Sequence, residues 1–373
     1  MNFEFSDEQN MVRDSLSRFL RDKYDFKARE KILATDAGWS REIWQGLAEM
    51  GIMSAAFPER YDGFGGTASD TLVIMEELGK ALVVEPFLPT VMLAGQLLRY
   101  LEGPHADALI PQICAGELIM GFAHYERKSR FARTYVACTA KSSDGGYVLN
   151  GHKAVVLGAS IADKLIISAR TSCDVNDPQG ISLFLVDANT DGVSIQGYRN
   201  IDGHPAGDVT LENVKLSKDA LIGIENEANV AVDFVIDHAL LAVSAEGVGL
   251  CKQMCALTNE YIQQRKQFGQ PIGKFQVLQH NMVDMFIHQE ELISMSFMAA
   301  AKMDSEGYDT SKAASAVKVQ LGKSTKFVGE NAVQLHGGMG ITEEMSIGHY
   351  FMRGTMLELM FGNTDYYVGR FMG

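Results

Sequence analysis

The chain has 373 residues, of which 46% are hydrophobic and 21% charged, and 33 Lys+Arg against 47 Asp+Glu leave a formal charge of −14. That composition excludes wholesale disorder, and the length exceeds the ~250–300 residues at which a single core stops growing, so more than one domain is expected. With pI ≈ 5.1 and no block of lysines or arginines, an extended phosphate backbone would meet net repulsion, which argues against nucleic acid as a partner.

The first ~118 residues carry helical periods. Ser6 followed by Gln9 reads as a capping box, after which Val12, Leu16, Phe19 and Leu20 recur at helical spacing. Further apolar periods lie around Ile43–Met50, Thr71–Leu82 and Thr90–Leu101. The glycines Gly63, Gly65 and Gly66 mark a loop between the first two of these. From about residue 122 to 225 the pattern changes to short apolar or β-branched runs, Tyr135–Ala140, Tyr147–Val156, Lys164–Ala169 and Ile181–Val186, separated by DGG, NG and DPQG. Asp208–Leu211 and Val214–Leu216 form another pair bracketing Glu212–Asn213. These spacings leave no room for crossover helices, so an antiparallel barrel or sandwich is expected, and no Gly-x-Gly-x-x-Gly run follows a strand. From about residue 228 long helical periods return at Val230–Gln264, Val277–Ser305 and Thr310–Leu335, which with the terminal segment predict an antiparallel four-helix bundle. The expected class is therefore α+β, with a helical N-terminal domain (1–120), a β middle domain (121–226) and a helical-bundle C-terminal domain (227–373). The methionines clustered at Met282, Met285, Met295 and Met298 read mainly as core and interface filler.

Five cysteines, Cys114, Cys138, Cys173, Cys251 and Cys255, form neither a disulfide framework nor a zinc-ligand pattern. A reducing cytoplasmic setting is the expectation. The acidic opening lacks the basic and apolar regions of a signal peptide, and no run approaches ~20 uninterrupted apolar residues, so no membrane span is expected.

Two segments carry candidate chemistry. In RKQFGQPIGKFQVLQH (265–280), Arg265 at a helix C-terminal region can fork onto an oxyanion such as a pyrophosphate oxygen, and Phe268 can stack on a planar ring; a surface salt bridge with a core phenylalanine is the plainer reading. In QLHGGMGIT (334–342), Gly337, Gly338 and Gly340 permit close approach of backbone to a ligand, or simply cap a helix. Both lie at ends of predicted bundle helices, so together they suggest one nucleotide-bearing ligand.

With these motifs in this order, and with the helical, β and helical thirds around them, the whole chain resembles the flavin-dependent acyl-CoA dehydrogenases. The resemblance implies FAD as cofactor, with Arg265, Phe268 and Gln276 on its pyrophosphate and adenosine part and Gln334, Leu335, His336, Gly337 and Gly338 also on FAD, usually reaching the flavin of a neighbouring subunit. It implies α,β-dehydrogenation of an acyl-CoA thioester, in which a carboxylate removes the α-proton and the β-hydride passes to the flavin. An electron-transfer flavoprotein usually accepts the electrons.

Against that pattern, Phe361-Gly362-Asn363-Thr364 stands where most members have Tyr-Glu-Gly-Thr, so Gly362 occupies the place of the base. The alternative position, twenty-six residues before the motif arginine, is Ala239. YERKSRFART (125–134) replaces the Thr-Glu-Pro-x-x-Gly-Ser-Asp loop, and Val155 and Leu157 replace the Trp-x-Thr pair that packs on the ring and bonds N5. A decayed ring side beside an intact cross-subunit side is similar to the small, base-lacking subunits of heteromeric members, which act on steroid side chains or on dicarboxylyl-CoA thioesters such as pimeloyl-CoA. The expected partner is a homologous large subunit in a heterotetramer. Two alternatives stand beside this: a self-sufficient homo-oligomeric dehydrogenase or oxidase using Glu246, Glu358 or Asp365 as an unusual base, and a purely structural subunit without flavin contact.

Overall fold

The computed structural model describes residues 5–143 and 145–373, so Asp144 of the predicted DGG turn lies outside the described residues. The chain forms two compact units, one of residues 5–30, 67–83 and 240–373, the other of residues 31–66 and 84–239.

The N-terminal third is helical: α1 (Asp7–Lys23), α2 (Phe26–Leu33), α3 (Arg41–Glu49), α4 (Ala68–Lys80), a π-helical stretch Leu88–Gly95 running into α5 (Gln96–Leu101), and α6 (Pro104–Cys114). The capping box at α1 forms as expected, with Ser6 Oγ accepting from Gln9 N and Gln9 Oε1 accepting from Ser6 N, both at 3.1 Å. Leu16 and Leu20 form the buried side of that helix. The π-helical stretch is buried throughout, and Thr90 Oγ1 both donates to Met120 O and accepts from Met120 N, at 3.1 Å each. That pair ties the wide turn to the first strand, a use of side-chain bonding that local helix propensity does not reveal.

The middle of the chain contributes β1 (Met120–Ala123), β2 (Thr139–Ser143), β3 (Gly146–Leu157), β4 (Lys164–Arg170), β5 (Ile181–Asp187), β6 (Val193–Arg199), β7 (Pro205–Ser217) and β8 (Leu221–Ile222) in one eight-stranded sheet. Its path is β6-β7-β3-β2-β4-β5-β8, with β1 added alongside β4. Most pairings are antiparallel as expected, but β1–β4 is parallel, as is the single Thr139–Arg170 pair of β2 and β4, so the sheet is mixed. The predicted strand pair around Glu212–Asn213 is one strand, β7. Asn213 takes φ +53°, and the β3–β7 register shifts between Leu149 and Gly151, so the polar interruption is a local irregularity inside a strand.

The C-terminal region comprises α7 (Asn229–Gln264), a short hairpin of β9 (Lys266–Gln267) and β10 (Gln270–Pro271), then α8 (Gln276–Met303), α9 (Thr310–His336), α10 (Ser346–Leu359) and α11 (Thr364–Met372). Within the first unit α9 packs on α8, α10 and α11. Small residues let α4 and α7 approach closely: a Cβ on Gly79 would lie 2.3 Å from Glu246 O, and one on Gly249 would lie 2.1 Å from Glu76 O. By length and composition α7 is apolar enough to cross a membrane, with a window of mean hydropathy 1.5, but 89% of that window is buried, as in a core helix.

Candidate functional site

The first unit brings the two sequence motifs together through Tyr261. Its ring stacks on His336 at 4.3 Å and 26°, and its hydroxyl donates to His336 O at 3.3 Å. One helical turn later Arg265 N bonds Tyr261 O at 2.8 Å, so the end of α7 and the end of α9 are fixed to each other. Arg265 is exposed there. The β9–β10 hairpin then turns through Phe268 (φ +53°) and Gly269 (φ +79°), the pair of left-handed residues that a two-residue hairpin favours. This turn holds the Phe268 ring out, 90% exposed, with only an edge contact to Phe275 at 6.1 Å. An aromatic ring so placed is costly in water unless something covers it. Gln276 opens α8 and is exposed, as is Gln334.

Leu335 and His336 differ from their neighbours, being 6% and 3% exposed inside the bundle. His336 Nδ1 lies 2.8 Å from Ala332 O, and burial lowers the imidazole pKa. Both residues are thus turned into the bundle, and His336 O accepts from the Tyr261 hydroxyl. Gly337 (φ +61°) and Gly338 are exposed, and a Cβ built on either meets nothing within 4 Å, so a ligand can reach this backbone without a side chain intervening. An exposed guanidinium, a projecting ring, two amide side chains and bare glycine backbone fit the phosphate and adenosine half of a flavin dinucleotide.

The two positions at which the resemblance expects a base carry no carboxylate, being Gly362 and Ala239. Gly362 is buried with φ +131°, and a Cβ there would lie 2.7 Å from both Tyr366 Cδ1 and Tyr367 Cε2. The turn is held by Tyr367 Oη donating to Phe361 O at 2.8 Å and by Lys318, whose buried Nζ bonds the carbonyls of Leu357 and Glu358 at the end of α10. Burial pushes the Lys318 pKa down to about 7. Ala239 is wholly buried. Of the three reserve carboxylates, Glu246 is locked by Arg353, with Nε to Oε1 at 2.6 Å and Nη2 to Oε2 at 2.8 Å, both side chains at most 5% exposed. Glu358 Oε1 caps α11, accepting from Thr364 N at 3.0 Å and Thr364 Oγ1 at 3.1 Å. Asp365 is exposed in the first turn of α11.

In the second unit the 125–134 segment is anchored at both ends. Glu126 accepts from Ala137 N, from Cys138 N at 2.9 Å and from Lys153 Nζ at 2.8 Å. Lys153 Nζ, itself fully buried, also donates to His124 O at 3.0 Å and Ser168 Oγ at 3.1 Å. Arg133 bonds Asp233 Oδ1 at 2.8 Å and Asp237 Oδ1 at 2.7 Å, two carboxylates spaced i,i+4 on one face of α7. These bonds fix both ends of the segment. Val155 has φ +53° and is 53% exposed, an unfavourable backbone for a β-branched residue, held by its N–H bonding Asp208 Oδ1 at 3.0 Å. Leu157 is half-buried and carries no polar group.

Neither this ionic cluster nor the role of Tyr261 is evident from sequence. The i,i+4 pair Asp233 and Asp237 is visible there, but its partner lies 100 residues away. The cluster also makes stability depend on pH. Burial, with Lys153 nearby, lowers the His124 pKa from 6.5 to about 3, so the unfolded chain binds the extra proton first as pH falls. The stability of the second unit is expected to decline from about pH 6.5 toward pH 3. Urea titrations across that window should show a flatter profile for His124→Leu, and an equal slope in both proteins would contradict this assignment.

Three family models match in succession: the acyl-CoA dehydrogenase N-terminal domain over residues 6–117, the middle domain over 123–214 and the C-terminal domain over 229–370. A 3-(aryl)acrylate reductase of Clostridium sporogenes (strain ATCC 15579) is 27% identical over 367 residues, spanning 97% of this chain and 96% of that protein. Among solved structures, a variant of the Tcur3481-Tcur3483 steroid ACAD superposes with TM-score 0.88 at 25% identity, covering 98% of this chain and 96% of that one. The ChsE4-ChsE5 complex from Mycobacterium tuberculosis, with TM-score 0.90 at 21% identity over 99% and 97% of the two chains, shares the fold. Three consecutive domain matches on a helical, mixed-β and helical-bundle architecture carry one conclusion: the chain belongs to the acyl-CoA dehydrogenase family.

Proposed function

We propose that this chain is the base-lacking subunit of a heteromeric, FAD-dependent acyl-CoA dehydrogenase, and that it completes the FAD site of a homologous large subunit. The observation that carries this reading is the contrast between Gly362, whose backbone and tyrosine neighbours leave no room for a side chain, and the exposed set Arg265, Phe268, Gln276, Gln334 and Gly337–Gly338. FAD, when bound, supplies the acceptor for the β-hydride of an acyl-CoA thioester. The residues of this chain would hold its diphosphate and adenosine part: Arg265 by a charge-assisted bond, Phe268 by ring contact, and Gly337 and Gly338 by backbone approach.

Further support comes from α8, whose Val277, Val283, Phe286 and Ile287 are 48–66% exposed and adjoin Gln276, as an intersubunit face would require. The Tcur3481-Tcur3483 steroid ACAD, whose name pairs two components, gives a precedent for the heteromer. On this reading the domain divisions fall at 1–120, 121–226 and 227–373, an electron-transfer flavoprotein reoxidises the cofactor, and the setting is cytoplasmic. Dicarboxylyl-CoA and steroid-side-chain thioesters are the substrate classes to try first.

Arg265→Ala tests the cross-subunit contact. In the mixed complex, loss of a charge-assisted bond of about 1.5–3 kcal/mol should weaken FAD retention by roughly ten- to a hundredfold. Equilibrium dialysis that finds unchanged affinity would count against this role. The self-sufficient alternative makes the opposite prediction for the purified chain alone: stoichiometric FAD and bleaching by an acyl-CoA.

A further inference from the structure

Within the first unit, α1 and α4 end, and α2 and α10 begin, around a pocket of about 440 Å³, none of whose lining residues belongs to the Arg265 and Gly337 set. That is the size of a small-molecule site. Its walls are mainly apolar: Leu20, Tyr24, Leu82 and Tyr350 are at most 6% exposed, and Phe26 and Leu257 are half-buried. Protein bonds hold the frame. Tyr350 Oη donates to Lys80 O at 2.5 Å, Tyr24 N bonds Leu20 O at 2.8 Å, and Asp25 Oδ1 accepts from Ala28 N at 2.7 Å to start α2.

Four charged residues line the pocket, Arg21, Asp25, Glu77 and Lys80. They differ in depth. Arg21 and Asp25 are exposed, and the Arg21 side chain, 73% exposed, already meets Asp22 at 3.3 Å, where water screens it. Lys80 Nζ is taken by two carboxylates, donating to Glu76 Oε1 at 2.7 Å and to Glu77 Oε1 at 2.6 Å, while Lys252 Nζ puts a second cation 2.6 Å from Glu76 Oε1. Glu77 is the least exposed of the four, with a side chain 4% exposed, and Lys80 is its one side-chain partner among the described residues. Its Oε2 is therefore a carboxylate oxygen in the pocket wall that takes no hydrogen bond from the protein. A buried carboxylate can accept several bonds and gains from each further donor.

We infer that this pocket is a binding site for a small organic ammonium ion, with Glu77 as the carboxylate that receives it and with its apolar body against Leu20, Tyr24, Phe26 and Tyr350. An ammonium group brings the donors that Oε2 lacks, whereas an anion of the same size would meet that oxygen with repulsion. The charges agree. Asp22, Asp25, Glu76 and Glu77 stand against Arg21, Lys80 and Lys252, so one added positive charge completes the balance. Aromatic faces attract cations, and Tyr24, Phe26 and Tyr350 supply three rings to the wall. The site is separate from the Arg265 and Gly337 set, and its failure would leave the subunit assignment untouched.

The test is calorimetric titration of the full chain with phenethylamine and with 3-phenylpropanoate, which carry opposite charges on the same phenylethyl body. Saturable binding of the amine alone is expected. Glu77→Gln should weaken it by at least about tenfold, because a charge-assisted bond becomes a neutral one. Glu8→Gln, which removes an exposed carboxylate elsewhere on α1, should leave affinity within about twofold. Should Glu77→Gln fail to fold, Ser17→Phe decides: from an exposed position of α1 on the pocket wall it should fill the pocket and weaken the amine by at least about tenfold, with thermal unfolding unchanged. The inference is overturned by no saturable binding of phenethylamine at millimolar concentration, by the anion binding as tightly as the amine, by equal losses in Glu77→Gln and Glu8→Gln, or by full affinity in Ser17→Phe. Oligolysine binding more tightly than the amine would also overturn it, by marking a basic protein segment as the occupant.

Discussion

Gly362→Glu, which would write the family's carboxylate back into the chain, is expected to leave the isolated protein without dehydrogenase activity and to destabilise it by roughly 2–6 kcal/mol. Two effects add. At φ +131° an L side chain is strained whatever space surrounds it, and here the first side-chain carbon would already stand 2.7 Å from both tyrosine rings. The tyrosines are not readily displaced, because Tyr367 is fully buried and its hydroxyl holds Phe361 O. On the proposed reading, the turn at Gly362 is rebuilt as well as lacking a carboxylate. Thermal unfolding and an acyl-CoA bleaching assay on the variant check both halves. A stable Gly362→Glu protein that gains turnover by itself would show that the turn still accepts the family's chemistry.

The second large effect concerns Glu246. As one half of a buried bidentate ion pair, it should cost about 3–5 kcal/mol to replace with alanine, because the Arg353 guanidinium would stay buried without that carboxylate. Converting both residues to apolar ones of similar volume, Glu246→Leu with Arg353→Met, should recover most of that loss. Chemical denaturation of the three variants measures the coupling. A catalytic base would behave differently: the single variant would lose turnover at little cost in stability, and the double variant would not recover anything.

The first capping box, the main helical periods and the edges of β3, β4 and β5 are legible in the sequence because each rests on residues close along the chain. Ser6 and Gln9 are three apart, and the apolar runs of β4 and β5 are buried almost throughout. Where the pattern fails, the causes are physical and equally local. Strand β6 escapes it because VSIQGYR is largely exposed and has little apolar contrast. Helix α2 escapes it because its one buried residue is Arg29, whose guanidinium bonds Leu82 O at 2.9 Å. At the hairpin after Arg265, Phe268 stands where asparagine or aspartate usually announces the turn.

At the site, the departures at Gly362, Ala239, Val155 and Leu157 can be read directly, since an absent carboxylate needs no fold to be noticed. What replaced them cannot. The Arg133–Asp233–Asp237 and Glu126–Lys153 pairs join residues 27 to 104 positions apart, and charges of that kind look like ordinary surface groups until the chain is folded. Burial of Leu335 and His336, side by side with exposed Gln334 and Gly337, likewise follows from how α9 ends against Tyr261.

The central claim is that this chain lends one half of a flavin site and lacks the other. Its most direct test is to express the chain with and without a homologous large subunit, then measure FAD per polypeptide and the composition of the oligomer. The expected result is a tetramer of two chains of each kind holding two FAD, with acyl-CoA dehydrogenase activity only in the mixture. A pure homotetramer of this chain holding four FAD and turning over an acyl-CoA would contradict it.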